Sequence, residues 1–319
     1  MALQRRLVQA ALGKQVAKGT PATTGDYRFG LTGGRVMNTE ITEADLNTTW
    51  STRLVEGFER TEVRTSAELN AIATKALIGQ LLVAACGGHT VTGSGPYTHT
   101  IVEAEPLNYY TIFGREQDLY VAVHDAQCSR LELTFDRTQA LRANSTWMGT
   151  DAVVLGTPWT ATTDERVQTG YYNMGGGAFT IDGASANIQR GTITIDNHHA
   201  PIPAAFQVTP IDVMAAQLTI EMSFTVIPDD LGIWRKVVFG TALGTAGISP
   251  VPYYGAVHQV WKSGTDTLTF DTPEVAFMVA FPEANPEGGP VELEITAKTA
   301  VNLAGQAFTW TLINEAASY

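Results

Sequence analysis

Between Leu119 and Thr150 the chain alternates apolar and polar residues too regularly for a helix. Leu131, Leu133 and Phe135 alternate with Arg130, Glu132, Thr134 and Asp136, and after Arg137-Thr138-Gln139 the alternation resumes at Leu141, Ala143, Ser145 and Trp147. Successive side chains of a strand point to opposite faces, so this pattern predicts two half-buried strands joined by a short polar turn. A comparable unit stands near the C-terminus. There Val291, Leu293 and Ile295 alternate with Glu292, Glu294 and Thr296, and then Phe308, Trp310 and Leu312 alternate with Thr309 and Thr311. The same long hairpin is therefore expected twice.

At 319 residues and 44% hydrophobic, the chain is long enough for one large or two ordinary domains with real cores. Charged residues are only 16%, below the roughly one quarter usual in globular proteins. Thr, Gly and Val are abundant, which suits strands and turns. The fold class expected is mainly β, with a helix packed against a β layer. The first fourteen residues are broken by Arg5, Arg6 and Lys14 before an apolar signal core forms, and no run of about eighteen apolar residues follows. The expectation is a protein made in a cytoplasm, with no membrane partner. Cys86 and Cys128 are the only cysteines; two thiols are too few for a disulfide framework or zinc site and read as buried structural residues.

The net charge of −12 is unevenly spread: residues 1–155 hold 14 Lys and Arg against 16 Asp and Glu, whereas residues 156–319 hold 6 against 16. Such a chain lacks the clustered cations that grip nucleic acid through its phosphates. It does not lack the means to let DNA slide past.

Taken in order, residues 1–24 carry Arg5, Arg6, Lys14 and Lys18 before any acid and end in a Gly/Pro/Thr breaker. They read as a basic N-terminal arm with a short helix at Leu7–Leu12. Tyr27–Met37 reads as a strand and Asn38–Asn47 as a polar loop. Trp50–Arg64 alternates with charges on both faces, as an exposed edge strand or one between subunits would. Ser66–Ala85 is expected to be a helix, capped by Ser66, with Leu69, Ile72, Ala73, Ala76, Leu77 and Leu81 on one stripe. A second helix is expected over 229–240, with Asp229 and Asp230 at its start and Gly240 as terminator. These readings divide the chain into a first β domain at 25–155, a linker at 156–176 and a second β domain at 177–319.

Leu12-Gly-Lys-Gln-Val-Ala-Lys-Gly-Thr-Pro-Ala is similar to the opening of major tail tube proteins of long-tailed, siphovirus-type bacteriophages. The stretches Leu268–Phe277, Val291–Ala297 and Phe308–Asn314 resemble their last strands, and the sheet–helix–hairpin order is also theirs. The resemblance spans most of the chain and is one of pattern. It implies a β-sandwich with that helix at its flank, and a structural virion protein, assembled in the host bacterial cytoplasm, whose copies stack as rings into a hollow conduit for double-stranded DNA. Tape-measure and tail-end proteins are the further partners it implies.

On that reading Glu56, Glu59, Glu62, Glu132, Asp136, Glu221, Glu292 and Glu294 are candidates to line the lumen or a subunit interface, where carboxylates repel phosphate. Arg5, Arg6, Lys14 and Lys18 are candidates for an arm docking on an acidic neighbour. The simplest family members have one sandwich per subunit. Two helix-plus-hairpin units here point to tandem tube domains and a trimer forming a pseudo-sixfold ring; the competing reading is one enlarged domain in a true hexamer.

No catalytic or cofactor constellation emerges. His198-His199 beside Asp196 lacks a spaced metal-ligand partner. Gly93-Ser94-Gly95 lacks a nucleophile elbow, and the glycine runs at 30–34 and 175–177 precede no helix that could cradle phosphate. Glu292 and Glu294 share a strand face that carboxylate-pair chemistry could use, although a solvated stripe is the ordinary reading. The expected protein is therefore not an enzyme and needs no cofactor. The alternative to a tube subunit is a non-enzymatic β-sandwich module, such as a carbohydrate-binding or virion decoration protein.

Overall fold

The structure is a computed structural model that describes residues 8–46, 57–242, 247–281 and 290–319. In chain order its strands are β1 (Val8–Lys14), β2 (Gly25–Gly30), β3 (Gly33–Leu46) and β4 (Gly57–Ile72), then helix α1 (Leu77–Cys86). There follow β5 (Gly87–Thr92), β6 (Tyr97–Glu103), β7 (Tyr110–Glu116), β8 (Leu119–Asp136), β9 (Arg142–Gly149), β10 (Asp151–Leu155) and β11 (Ala161–Asp164). Next come β12 (Asn173–Ile181), β13 (Ala184–Ser185), β14 (Asn187–Asp196), β15 (Ala200–Ile202), β16 (Asp212–Met214) and β17 (Thr219–Ile227). Helix α2 (Gly232–Phe239) precedes β18 (Tyr253–Ser263), β19 (Asp266–Val279), β20 (Leu293–Thr299) and β21 (Thr309–Asn314).

One antiparallel run of strands carries the architecture, in the order β3-β4-β9-β8-β14-β17-β20-β19. Its two quartets share one order: two strands that precede a helix, β3 and β4 or β14 and β17, then β9 and β8 or β20 and β19. A second layer repeats in the same way. β10, β8, β7 and β1 lie side by side in the first half, and β21, β19, β18 and β12 in the second. β8 and β19 serve both layers because each changes partners along its length, the device by which strands turn sandwich corners. The change comes at irregularities where four residues oppose three: Val123 to Ala126 against Ile112 to Tyr110, and Thr272 to Val275 against Val257 to Gly255. Pro273, which has no N–H to donate, stands at the second of these.

Between the layers lies a core that draws on both halves. Trp147, Trp261 and Trp310 are fully buried in it. Trp261 and Trp310 stack at 6.1 Å between ring centroids. The alternation in β8 has the predicted outcome, with Leu131, Leu133 and Phe135 inward and Arg130, Glu132 and Thr134 on the opposite face. The first hairpin forms as expected, Leu133 lying opposite Ala143. The C-terminal unit does not. β20 and β21 do not pair with one another; both lie along β19, β20 opposite residues 275–279 and β21 opposite residues 267–271.

Four further expectations are corrected. Residues 66–72 are strand rather than the start of a helix, with Ala67, Leu69 and Ala71 inward and Glu68 exposed. That stretch satisfies both periods, and pairing with β9 from Thr65 to Ile72 decides for the strand. The helix is the shorter Leu77–Cys86, buried on all sides, as befits a segment apolar all round. Residues 8–14 form a strand between β2 and β7 in place of the helix and arm, because Ala10, Ala11 and Leu12 are buried there. The polar loop placed at 38–47 is strand β3 as far as Leu46. Within the stretch read as a linker, β11 joins the first sheet parallel to β2. Helix α2 falls inside its expected range.

Candidate functional site

The polar face of the eight-strand run and its open edges are the surfaces through which this fold can act. At the centre of the run β8 and β14 pair with Leu131 opposite Ile195, Glu132 opposite Thr194 and Arg130 opposite Asp196. Because the core takes the inward side chains, the outer face collects the alternate, polar ones. Its carboxylates are largely engaged locally. Glu132 accepts a hydrogen bond from Arg130 Nη2 at 2.9 Å, and Glu221 is ion-paired with Lys298 of the adjacent strand. Asp136 accepts from the backbone N–H and hydroxyl of Thr138 at 2.8 and 2.6 Å. Those two bonds hold its carboxyl below the usual range. Glu294 projects from β20 into solvent, with no ion pair among the described residues. Glu292 is exposed just before β20 and borders a shallow cleft with Asp136, Arg190 and Thr225. The face is thus a chequer of both signs rather than a sheet of carboxylates.

The β3–β4 hairpin supplies the edge. Side chains 38–45 of β3 are all exposed, and among the described residues β3 pairs only with β4. Charge occurs on both faces, which deters random edge pairing. On β4, Glu59 lies opposite Ala44 and Glu62 opposite Thr42. Glu62 accepts from Arg64 at 2.8 Å, while Arg60 stands 3.7 Å from Glu43. Exposed pairs of this kind are screened by solvent and contribute little to stability. The Val63 N–H donates to the Val208 carbonyl at 2.7 Å and ties the hairpin to the loop between β15 and β16. Glu56, Arg5 and Arg6 lie outside the described residues.

Of the arm cations, Lys14 closes β1, where its backbone N–H donates to Asp26. Lys18 makes a 2.7 Å ion pair with Asp212 of its own chain. Both belong to a folded segment, since Gln15 and Ala22 are also bonded to the Thr111 hydroxyl. The structure does not bring the seven described acids into one cluster; they spread over the β3–β4 hairpin and the outer face.

Helix α2 makes a third surface, which sequence reasoning did not single out. It has no fully buried residue and leaves a groove of about 370 Å³ against the sheet, lined by Ile181, Val226, Ile233, Lys236 and Tyr253. Asp182 at its rim is bonded by Lys236 Nζ at 2.8 Å and the Tyr253 hydroxyl at 2.6 Å. The signal available in the sequence was the run of exposed Ile248 and Val251 beyond the helix.

The residues weighed for chemistry are dispersed. His198 faces the Gln217 carbonyl, while His199 turns inward to Gln127, 3.0 Å away. Burial lowers His199 to a pKa of about 4. The two adjacent histidines are thus one surface and one part-buried residue. Cys86 and Cys128 are buried free thiols, their pKa values raised by desolvation. No group of three or more potential metal ligands occurs among the described residues, and no helix there is long and apolar enough to cross a membrane.

The fold is thus that of a β-protein, an antiparallel sandwich whose long sheet ends in an open edge at β3. The chain belongs to the phage tail tube proteins, the family whose model matches residues 6–311. It is therefore a structural protein of the phage tail. No curated protein matches it.

Proposed function

We propose that this chain is the repeating subunit of a hollow tail tube, in which three copies close into a ring, rings stack, and double-stranded DNA passes along the lumen. The observation that carries the reading is the eight-strand run made of two quartets in one order, joined antiparallel at β8–β14. One chain presents the free edge of β3 at one end and, at the other, the edge of β19 beyond Phe277, where its pairing with β18 ends. If copies join as the quartets do, three chains supply twenty-four strands in a closed barrel, about the number a ring wide enough for a duplex needs. Closure also removes the exposed edges that would otherwise template aggregation.

Tandem duplication accounts for the repeated order, and the polar outer face of the run would become the lumen wall. Its charges are interleaved, with Glu221 beside Lys298 and Glu132 beside Arg130, so phosphate meets no cluster of cations that could hold it. Tape-measure and tail-end proteins would contact the inside and the two ends. Electron microscopy of the purified protein at rising concentration tests the reading. Hollow rings with three identical subunits are expected; six would replace the trimer by a hexamer, and particles without a central hole would overturn the tube.

A further inference from the structure

The two halves differ sharply at one pair of equivalent places. In the first half all ten residues of α1 are buried; in the second none of α2 is. Part of the cover on α1 comes from the second half of the chain, the rest from β5, β6 and β8 of its own half. The Tyr319 ring lies so close to Gly79 that a Cβ there would overlap it. Asn314 donates from Nδ2 to the Lys75 carbonyl at 2.9 Å, and β21 pairs with β6 from Trp310 to Asn314.

The counterpart of β21 is β10. Leu312 sits opposite Leu268, the third residue of β19, and Val154 sits opposite Val121, the third residue of β8. Yet Leu312 is 0% exposed and Val154 is 64% exposed. β21 is flanked by β6, whereas among the described residues β10 pairs only with β8. So β10 occupies the place of β21 without its cover, and α2 occupies the place of α1 without a strand to cover it. The run of strands places α1 before β21 at the one junction inside the chain. Among the described residues no strand stands beside α2 as β21 stands beside the α1 layer, and none flanks the outer edge of β10.

We propose that the exposed side of α2, with Ile248 and Val251 of the segment after it, receives the outer edge of β10 from a second copy of this chain. The contact rests on the ring reading above and names the residues that close it. The groups placed in the contact are apolar, Val154 on the strand and Ile248 and Val251 beyond the helix, while Arg235 is the exposed residue of α2 and Asp151 opens β10. Ile248 is 77% exposed, and Phe281, 64% exposed, packs edge to face on Trp234 of α2. Exposed apolar groups gathered in this way gain by leaving water together.

Two experiments test the contact. Chains carrying Val154→Cys and chains carrying Ile248→Cys are mixed, assembled and treated with a short bifunctional maleimide; Cys86 and Cys128 are buried and do not compete. A cross-linked dimer is expected from the mixture and from neither variant alone. Val154→Glu, at an exposed position, is expected to keep the wild-type melting temperature and to lose ring formation, since a charge would be desolvated in the contact. Wild-type rings that give no mixed dimer, a dimer from one variant alone, or full ring yield from Val154→Glu would each overturn this contact and leave the ring reading standing. A wild-type chain that never assembles would overturn both.

Discussion

Phe135 of β8 meets Trp261 of β18 edge to face, 5.3 Å between ring centroids. Both are buried, at 1% and 0% exposure. Their contact crosses from the first half of the chain to the second, so the halves share a core and not merely a sheet. Removing either ring leaves a cavity at this seam. Phe135→Ala is expected to cost about 3–5 kcal/mol. Chemical denaturation should still show one cooperative transition, shifted to lower denaturant; two separated transitions in the wild type would contradict a shared core.

Deleting residues 1–18 removes β1 from between β2 and β7, together with the buried side chains of Ala10, Ala11 and Leu12. An expendable arm would leave the fold intact. The expected outcome here is an insoluble or unfolded chain, read by circular dichroism and size-exclusion chromatography. A well-folded truncated protein would show that β2 and β7 can close without β1.

Stability should decline as pH falls from about 6.5 towards 4. Burial, with His99 adding a smaller push, lowers His89 to a pKa of about 4, and burial does the same to His199. Because the folded values lie below the unfolded 6.5, the folded state favours the neutral rings. Their contribution is complete above pH 6.5 and is lost as the unfolded chain takes up protons below it. Asp136, Asp164 and Asp182 are lowered below 3.8, so they act only at more acidic pH. Thermal melts at pH 7, 5.5 and 4.5 check the window, and His89→Phe should flatten part of the slope. A melting temperature constant across it would remove the histidines from the account.

Glu292→Lys with Glu294→Lys replaces two exposed acids by cations on what is proposed as the lumen wall. Both side chains are solvated, so folding and ring assembly should be unaffected. DNA passage should slow, because each added cation can hold a phosphate. Ejection kinetics from phage carrying the variant measure this; unchanged kinetics would place these residues away from the channel.

Period-two alternation makes β8, β9, β14 and β17 legible in the amino-acid sequence, because one residue in two has to be buried. The acidic start and Gly240 terminator likewise mark α2, whose capping Gly240 adopts φ 75°. The stretches misread are those compatible with more than one period or with none. Residues 66–72 fit both a helical stripe and a strand face. Residues 8–14 and 38–46 offer too few large apolar side chains to show a face at all. The site is less legible than the fold. Acids can be counted, but whether Glu132 or Glu221 stands free or beside Arg130 and Lys298 cannot be read from their positions in the chain.

By itself, then, the sequence determined which residues seek burial and at what spacing, and hence a mainly β protein. Tertiary structure decided the partners: β8 with β14, β6 with β21, β20 and β21 along one strand rather than with each other. The physical reason is that strand pairing uses backbone N–H and C=O groups that every residue carries. The choice of neighbour is left to packing between residues far apart in the chain.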